Sequence, residues 1–411
     1  MTSPTISNQR QGVAIPLTLT LTHQAIGSFF ILSVSAMAPF LQDTLARAEL
    51  IIGLFPSLAY LIAMGSSPIA HRVFDRFGPL GTSNLAILTG LAGYAVLTLT
   101  TPWAFFIAAI LMGIAYGPLN PTSSVVLNQL APPHRRNLVL ALKQSGVPLG
   151  GAVAGTTLPV IASYLGYQMA TIITGVVIAG LLVGFWPRSR RIDAHIETPI
   201  RQAAAPGERV FHRGCMLLAS SSFCYSFVQL ALSMFLGLLA FRLAGFTPVE
   251  AGLVLTVFHL SGMVGRPGWG MIADAIQGWG SALPIVGLIT STLTGLLVAL
   301  TSMADPGAWM FYALAVGLGA CASGWNGVFF AELAQAVPAS ALGAVTGQAL
   351  SITFAGVVVG PSVVGFLLSS IDPSLVLTGL VALAAIGSLL AWSGVTASRQ
   401  IMQTPSETPA P

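Results

Sequence analysis

The sequence holds a single lysine, Lys143, and it lies inside an apolar stretch. An ammonium there can attract an anionic solute or exchange a proton; the other reading is a side chain that snorkels to the nearest polar boundary. Two histidines, His23 and His259, sit midway along other apolar stretches. An imidazole in such a place can bind a solute, carry a proton near neutral pH, or rest neutral in an internal hydrogen bond. Six amides join them: Gln24, Asn120, Gln144, Gln229, Asn326 and Gln348. Some of these read as partners for a solute and others as ties between helices. Tyr60, Tyr116, Tyr225 and Trp325 read mainly as packing, with the apolar wall of a solute pocket as the alternative. No nucleophile–His–Asp group stands outside the apolar runs. Cys215, Cys224 and Cys321 have no metal or CxxC spacing. Gly150, Gly151 and Gly155 follow no strand and precede no Lys-Ser/Thr, so they form no phosphate loop. The residues make no case for an enzyme, a cofactor, a metal site or a nucleic-acid partner.

The elements that carry these residues must be membrane helices. Charged side chains make up 7 % of the 411 residues, against about a quarter in soluble domains. Hydrophobic types reach 55 %, so lipid has to serve as part of the solvent. Lipid leaves backbone polar groups to find partners within the chain, which permits helices or closed barrels. The apolar runs are long and unalternating, which selects helices. Twelve are expected, over 14–41, 49–70, 80–100, 103–129, 137–162, 168–187, 214–241, 249–273, 280–302, 307–334, 343–369 and 373–394. The first is too long for a signal peptide and is expected to be retained. The layout is then a tail at 1–13, a six-helix bundle at 14–187, a charged linker at 188–213, a second six-helix bundle at 214–394 and a disordered tail at 395–411.

The basic residues give the orientation. Of 16 Lys and Arg, only Arg47 and Arg242 fall on one side, which leaves fourteen on the other. The fourteen include Arg72, Arg76, Arg266 and the six linker arginines from Arg188 to Arg213. That side is expected to be cytoplasmic and to hold both termini. The opposite connections carry Asp43, Glu49, Glu250, Asp305 and Asp372. An internal repeat relates the halves: Gly113, Asn120 and Pro132 match Gly319, Asn326 and Pro338 at one offset. Ser145 and Gly150 match Ser351 and Gly356 at the same offset. Spans 3, 6, 9 and 12 carry no ionisable residue or amide well inside them. They are expected to face lipid while the others surround a polar path.

The whole, about 14–394, resembles the major facilitator superfamily of transporters, whose halves are parallel six-helix repeats. The segment His71-Arg72-Val73-Phe74-Asp75-Arg76-Phe77-Gly78 is similar to that family's signature between spans 2 and 3, with His71 replacing the leading glycine and Pro79-Leu80 the trailing basic pair. Gly270-Met271-Ile272-Ala273-Asp274, after Arg266, echoes it in the second half. Lys143 to Gly151 is similar to the glycine-rich fifth helix of many bacterial members. Where many proton-coupled members carry an arginine in span 4, this chain has Ala109, so that coupling role does not carry over.

The resemblance implies a monomer of twelve helices in a bacterial inner membrane, moving a small solute by alternating access. It also implies a gate at Asp75, Arg76 and Gly78, with Asp274 as its counterpart. Arg266 and Glu332 are candidates for a second gating pair. Lys143, His23 and His259, with few acids in the spans, favour proton-coupled uptake of a small organic carboxylate. Efflux of drug-like compounds and a non-transporting receptor are the alternatives. If Asp75 locks one state through a helix terminus, Asp75→Asn lowers the transport rate in proteoliposomes. A correctly inserted variant with the wild-type rate would remove the gating role.

Overall fold

Low charge and long apolar runs leave little choice but helix, and the sequence supplies the terminators. In the computed structural model, described for residues 12–42, 44–132, 135–196, 211–276, 280–301, 303, 307–338 and 341–403, no strand occurs among the described residues. The expected N-terminal tail up to residue 11, linker residues 197–210, Asp43, Asp305 and the tail from residue 404 lie outside them.

Among the described residues, eleven continuous helices are long and apolar enough to cross a membrane. One of them, Gly146–Asp193, breaks at Gly166, where φ is 82° and ψ is 166°. Only glycine adopts that conformation cheaply. The apolar stretch Leu138–Asp193 has 56 residues, about 84 Å of helix at 1.5 Å per residue, against a hydrocarbon core of about 30 Å. It therefore makes two crossings, which brings the count to twelve. We label them α1 (Ala14–Ala36), α2 (Ala48–Ser66, continued by Ala70–Phe77), α3 (Pro79–Val96) and α4 (Pro102–Tyr116 with Leu119–Leu130). Then come α5 (Arg136–Gln144 with 146–165), α6 (167–193), α7 (Arg213–Ala244) and α8 (Pro248–Ala275). The last four are α9 (Ala282–Thr301), α10 (Ala308–Ala322 with Trp325–Gln335), α11 (Leu342–Leu368) and α12 (Pro373–Gln403).

Two expected boundaries are corrected. α6 runs past the linker start at Arg188 to Asp193. α12 runs past Gly394 to Gln403, so residues 395–403 are helix and not disordered tail. Both extensions are polar and add turns beyond the apolar runs, which hydropathy alone cannot see. Local signals set other ends. Pro79, Pro102 and Pro248 open their helices, where the missing N–H costs nothing. Thr247 and Glu250 form a capping box for α8. Gly245 closes α7 with φ 65°.

The repeat read from the sequence marks helix contacts in each half. A Cβ on Gly113 of α4 would strike the Ala59 carbonyl of α2 at 2.5 Å, and one on Gly319 of α10 the Phe258 carbonyl of α8. A Cβ on Gly150 of α5 would fall on the Ala25 carbonyl of α1, and one on Gly356 of α11 on the Phe223 carbonyl of α7. The fourth helix of each half also breaks at one repeat position, before Leu119 and before Trp325.

Packing divides the chain into two compact units. The first comprises the described residues up to Ser33, Leu58–Ala154 and 161–196; the second comprises Val34–Ser57, Gly155–Val160 and the described residues from 211 onward. In the first, Tyr94 of α3 hydrogen-bonds Thr174 of α6 at 2.9 Å. In the second, Leu283, Val286, Trp325, Phe329 and Ala391 belong to one buried cluster.

The second unit thus gathers the arginine-poor ends of α1, α2 and α5 with α7, α8 and α11. Ser35 Oγ donates to the carbonyls of Ser233 at 3.0 Å and Met234 at 2.7 Å. Arg242 pairs with the buried Glu49. Gly53 of α2 lies against Pro361 and Gly365 of α11, with a built Cβ 3.1 Å from Gly365 Cα. Gly53→Leu is therefore expected to lower stability by about 1–3 kcal/mol through overpacking. Gly379→Leu, where a Cβ meets nothing within 4 Å, is the matched control, and thermal unfolding in detergent compares the two.

Candidate functional site

In the first unit the polar residues gather around Lys143. The first segment of α5 ends at Gln144, so Lys143 occupies its last turn, where the negative end of the helix dipole favours a cation. The residue is 2 % exposed. Its Nζ donates to Gln24 Oε1 of α1 at 2.9 Å and to Asn120 Oδ1 of α4 at 2.5 Å. Both acceptors are neutral, and among the described residues no carboxylate pairs with the ammonium. The buried Nε2 of Gln24 has no partner among the described residues. Ser28 Oγ, one turn further along α1, is in the same state.

His23 precedes Gln24 and, at about 100° of helix rotation, faces elsewhere. Its Nε2 meets Asn84 Oδ1 of α3 at 2.9 Å, and its ring packs edge-on to Phe185 of α6 at 5.8 Å. His23 Nδ1 and Asn84 Nδ2 are buried without partners among the described residues. Asn84, an amide in the first turns of α3 and so not well inside that span, is nevertheless fully buried. Gln144 is exposed on α5.

The second unit holds a different polar group. Gln229 Oε1 of α7 accepts from Trp325 Nε1 at 3.1 Å and Asn326 Nδ2 at 3.5 Å of α10. The repeat offset is 206 (319 − 113), and it places Ala349 opposite Lys143. The second half therefore repeats the asparagine and the glycines but not the charge. His259 is buried on α8, edge-on to Phe258 at 5.3 Å. Arg266, two turns on, donates Nε to the Ser323 carbonyl at 3.2 Å, at the break in α10. Gln348 and Asp274 are exposed, and Glu332 is half-buried. Of the aromatics, Tyr60, Tyr225 and Trp325 are buried. Tyr60 stacks edge-on to Tyr116 at 5.5 Å, and Tyr225 lies 5.6 Å from Trp325.

The signature segment ends α2. Asp75 and Arg76 are exposed, and the Arg76 guanidinium lies 5.4 Å over the Phe77 ring. Gly78, with φ 73°, turns the chain into α3 but offers no side chain to cap it. Asp193, at the end of α6, does so instead. Its two oxygens accept from Leu80 N at 3.0 Å and Gly81 N at 2.7 Å. A carboxylate there satisfies two orphan N–H groups and meets the positive end of the α3 dipole. Beside Arg188, Arg190 and Arg191 it reads as one more linker charge, and sequence reasoning missed this role. The one faint signal is an acid standing alone among arginines.

The sequence matches the profile described as Major Facilitator Superfamily over residues 20–349. The chain belongs to this superfamily. It is a multi-pass membrane transporter with the superfamily fold. It is 22 % identical over 262 residues to the Hexuronate transporter of Bacillus subtilis (strain 168). That match covers 59 % of this chain and 60 % of that protein, so it spans less than two thirds of the relative's length. Among solved structures, a bacterial homologue of the human lysosomal transporter Spinster, inward-facing and unoccupied, superposes with a TM-score of 0.71 at 16 % identity, covering 98 % of this chain and 100 % of the other. A mutant of the peptide transporter POT gives a TM-score of 0.76 at 12 % identity, covering 94 % and 95 %. At such identities the structures speak for the fold.

Asp193→Ala leaves the start of this superfamily member's α3 uncapped and is expected to cost about 1 kcal/mol. Thermal unfolding measures it, with Asp193→Asn retaining part of the stability.

Proposed function

We propose that the protein takes up a small organic carboxylate together with protons. The observation that carries this reading is the Lys143 ammonium, buried between two neutral carbonyl oxygens with no carboxylate paired to it among the described residues. A buried charge held by dipoles alone is poorly compensated, and an anionic solute supplies the missing counter-charge. Gln24 Nε2, with its oxygen already on Lys143, is a second donor for the same carboxylate. The Hexuronate transporter relative agrees with a monocarboxylate that also carries hydroxyl groups, for which Asn120 and Gln144 are further partners.

In this reading His23 is the proton carrier of the first unit, its ring positioned by Asn84 and its Nδ1 buried with no partner among the described residues. In the second unit Gln229, Asn326, His259 and Gln348 are the candidates for solute contact. Asp75, Arg76, Gly78, Arg266, Asp274 and Glu332 are the candidates for gating at the arginine-rich helix ends, which the charge bias places in the cytoplasm. Tyr225 and Trp325, the second-half aromatics that an efflux reading would use as a pocket wall, are both buried.

The test is accumulation of labelled glucuronate, and of a panel of other carboxylates, in proteoliposomes with the inside made alkaline. Lys143→Ala should cut uptake at least about tenfold, the worth of a charge-assisted hydrogen bond. Lys143→Arg should keep part of it, and a protonophore should abolish accumulation. Unchanged uptake of every anion by Lys143→Ala would overturn the assignment. Binding without accumulation would indicate a receptor.

A further inference from the structure

Two helices of the first unit place the Tyr116 ring beside the Lys143 group. On α4, Tyr116 stands four residues before Asn120. Gly117 and Pro118 between them keep right-handed helical angles, with φ −55° and −66°. Tyr116 and Asn120 therefore share one side of α4, about 5–6 Å apart at Cβ. Asn120 Oδ1 accepts from Lys143 Nζ at 2.5 Å. On α1, Gly27 stands three residues after Gln24, the other acceptor of Lys143. A Cβ built on Gly27 would lie 3.2 Å from Tyr116 Cδ2, so the ring rests on α1 where a side chain is missing. Consecutive crossings alternate in direction, so α1 and α4 run oppositely. One turn forward on α1 and one turn back on α4 reach the same level, about 5 Å from Lys143 toward the arginine-poor ends. The plane of the ring is set as well. Tyr60, buried on α2, meets it edge-on at 5.5 Å with the planes 89° apart. Tyr116 and Asn120 are half-buried, so this side of the Lys143 group keeps an approach.

We propose that Tyr116 selects a carboxylate carried on a hydroxylated six-membered ring, the cyclic form of a sugar acid. The inference rests on the reading of Lys143 as the anion site and adds what the rest of the solute must be. With the carboxylate on Lys143, the body of the solute falls one turn away, at the Tyr116 ring. The C–H bonds on the flat side of a sugar ring carry partial positive charge and meet the negative π face. Its hydroxyls stand around the rim, where Asn120 Nδ2, on the amide whose oxygen Lys143 takes, is a donor. A two- or three-carbon acid ends before it reaches Tyr116. An open-chain sugar acid reaches it but has no flat face, and it gives up chain freedom to lie there. A benzene carboxylate has the face but no hydroxyl for Asn120.

The test uses pairs of solutes matched in charge and carbon number, ring against open chain: glucuronate with gluconate, and galacturonate with galactonate. Uptake of each is measured with the full chain in proteoliposomes. Wild type is expected to favour the ring member of each pair at least about fivefold in kcat/KM, the scale of an aromatic contact. Tyr116→Leu should bring that ratio close to one, and Tyr116→Phe should keep it. The ratio is taken within one variant, so the fraction of protein that folds cancels. Lys143→Ala should lower both members of a pair alike. A ratio near one in wild type, a ratio that survives Tyr116→Leu, or a preference for benzoate over both members of each pair overturns the inference. If Lys143→Ala still lowers uptake in that event, the anion site stands and only the ring selection falls. If Lys143→Ala changes nothing, the anion site falls and takes this inference with it.

Discussion

Lipid accepts no hydrogen bonds, and the architecture of this chain follows from that one property of the solvent. Each backbone N–H and C=O crossing the membrane must be paired inside its own helix, so helices are obligatory. Because lipid is as apolar as the side chains, burial alone does not drive helices together; close packing and hydrogen bonds do. The glycines at helix contacts answer the first need. Gly113 and Gly319, Gly150 and Gly356 let one helix rest its backbone on the carbonyls of another. The buried amides answer the second, and they also hold the chemistry.

The two halves share a scaffold but not a charge. Breaks before Leu119 and before Trp325 place Asn120 and Asn326 alike at the start of a new helical segment. In the first half the asparagine turns its carbonyl to an ammonium; in the second it turns its amide to Gln229. Where the first half has Lys143, the repeat has Ala349. The first half leaves polar atoms of Gln24 and His23 unpaired among the described residues, while in the second half Gln229 meets both Trp325 and Asn326.

Much of the fold was legible because hydropathy, helix length and the repeat are properties of neighbouring residues. The lone lysine, the asparagine pair and the signature segment at Asp75 could likewise be picked out one residue at a time. Asn84 could not. One amide near the end of an otherwise apolar span looks like a boundary residue until α1 brings His23 to it. Asp193 was hidden for a similar reason, since its partners are backbone N–H groups that carry no sequence signal. The Glu49–Arg242 pair was visible only as two charges on one side of the membrane.

The sequence by itself determined a membrane-spanning helical chain, its division into crossings, the repeat that relates its halves, and the presence of one intramembrane lysine. Those features are written in composition and spacing, which act over a turn or two of helix. The tertiary structure decided which groups meet. Gln24 and Lys143 are separated by 119 residues, Glu49 and Arg242 by 193, and Leu80 and Asp193 by 113. Nothing local links them; helix packing selects each partner, because neighbours on one helix point in different directions and only the adjoining helix fixes what each one touches.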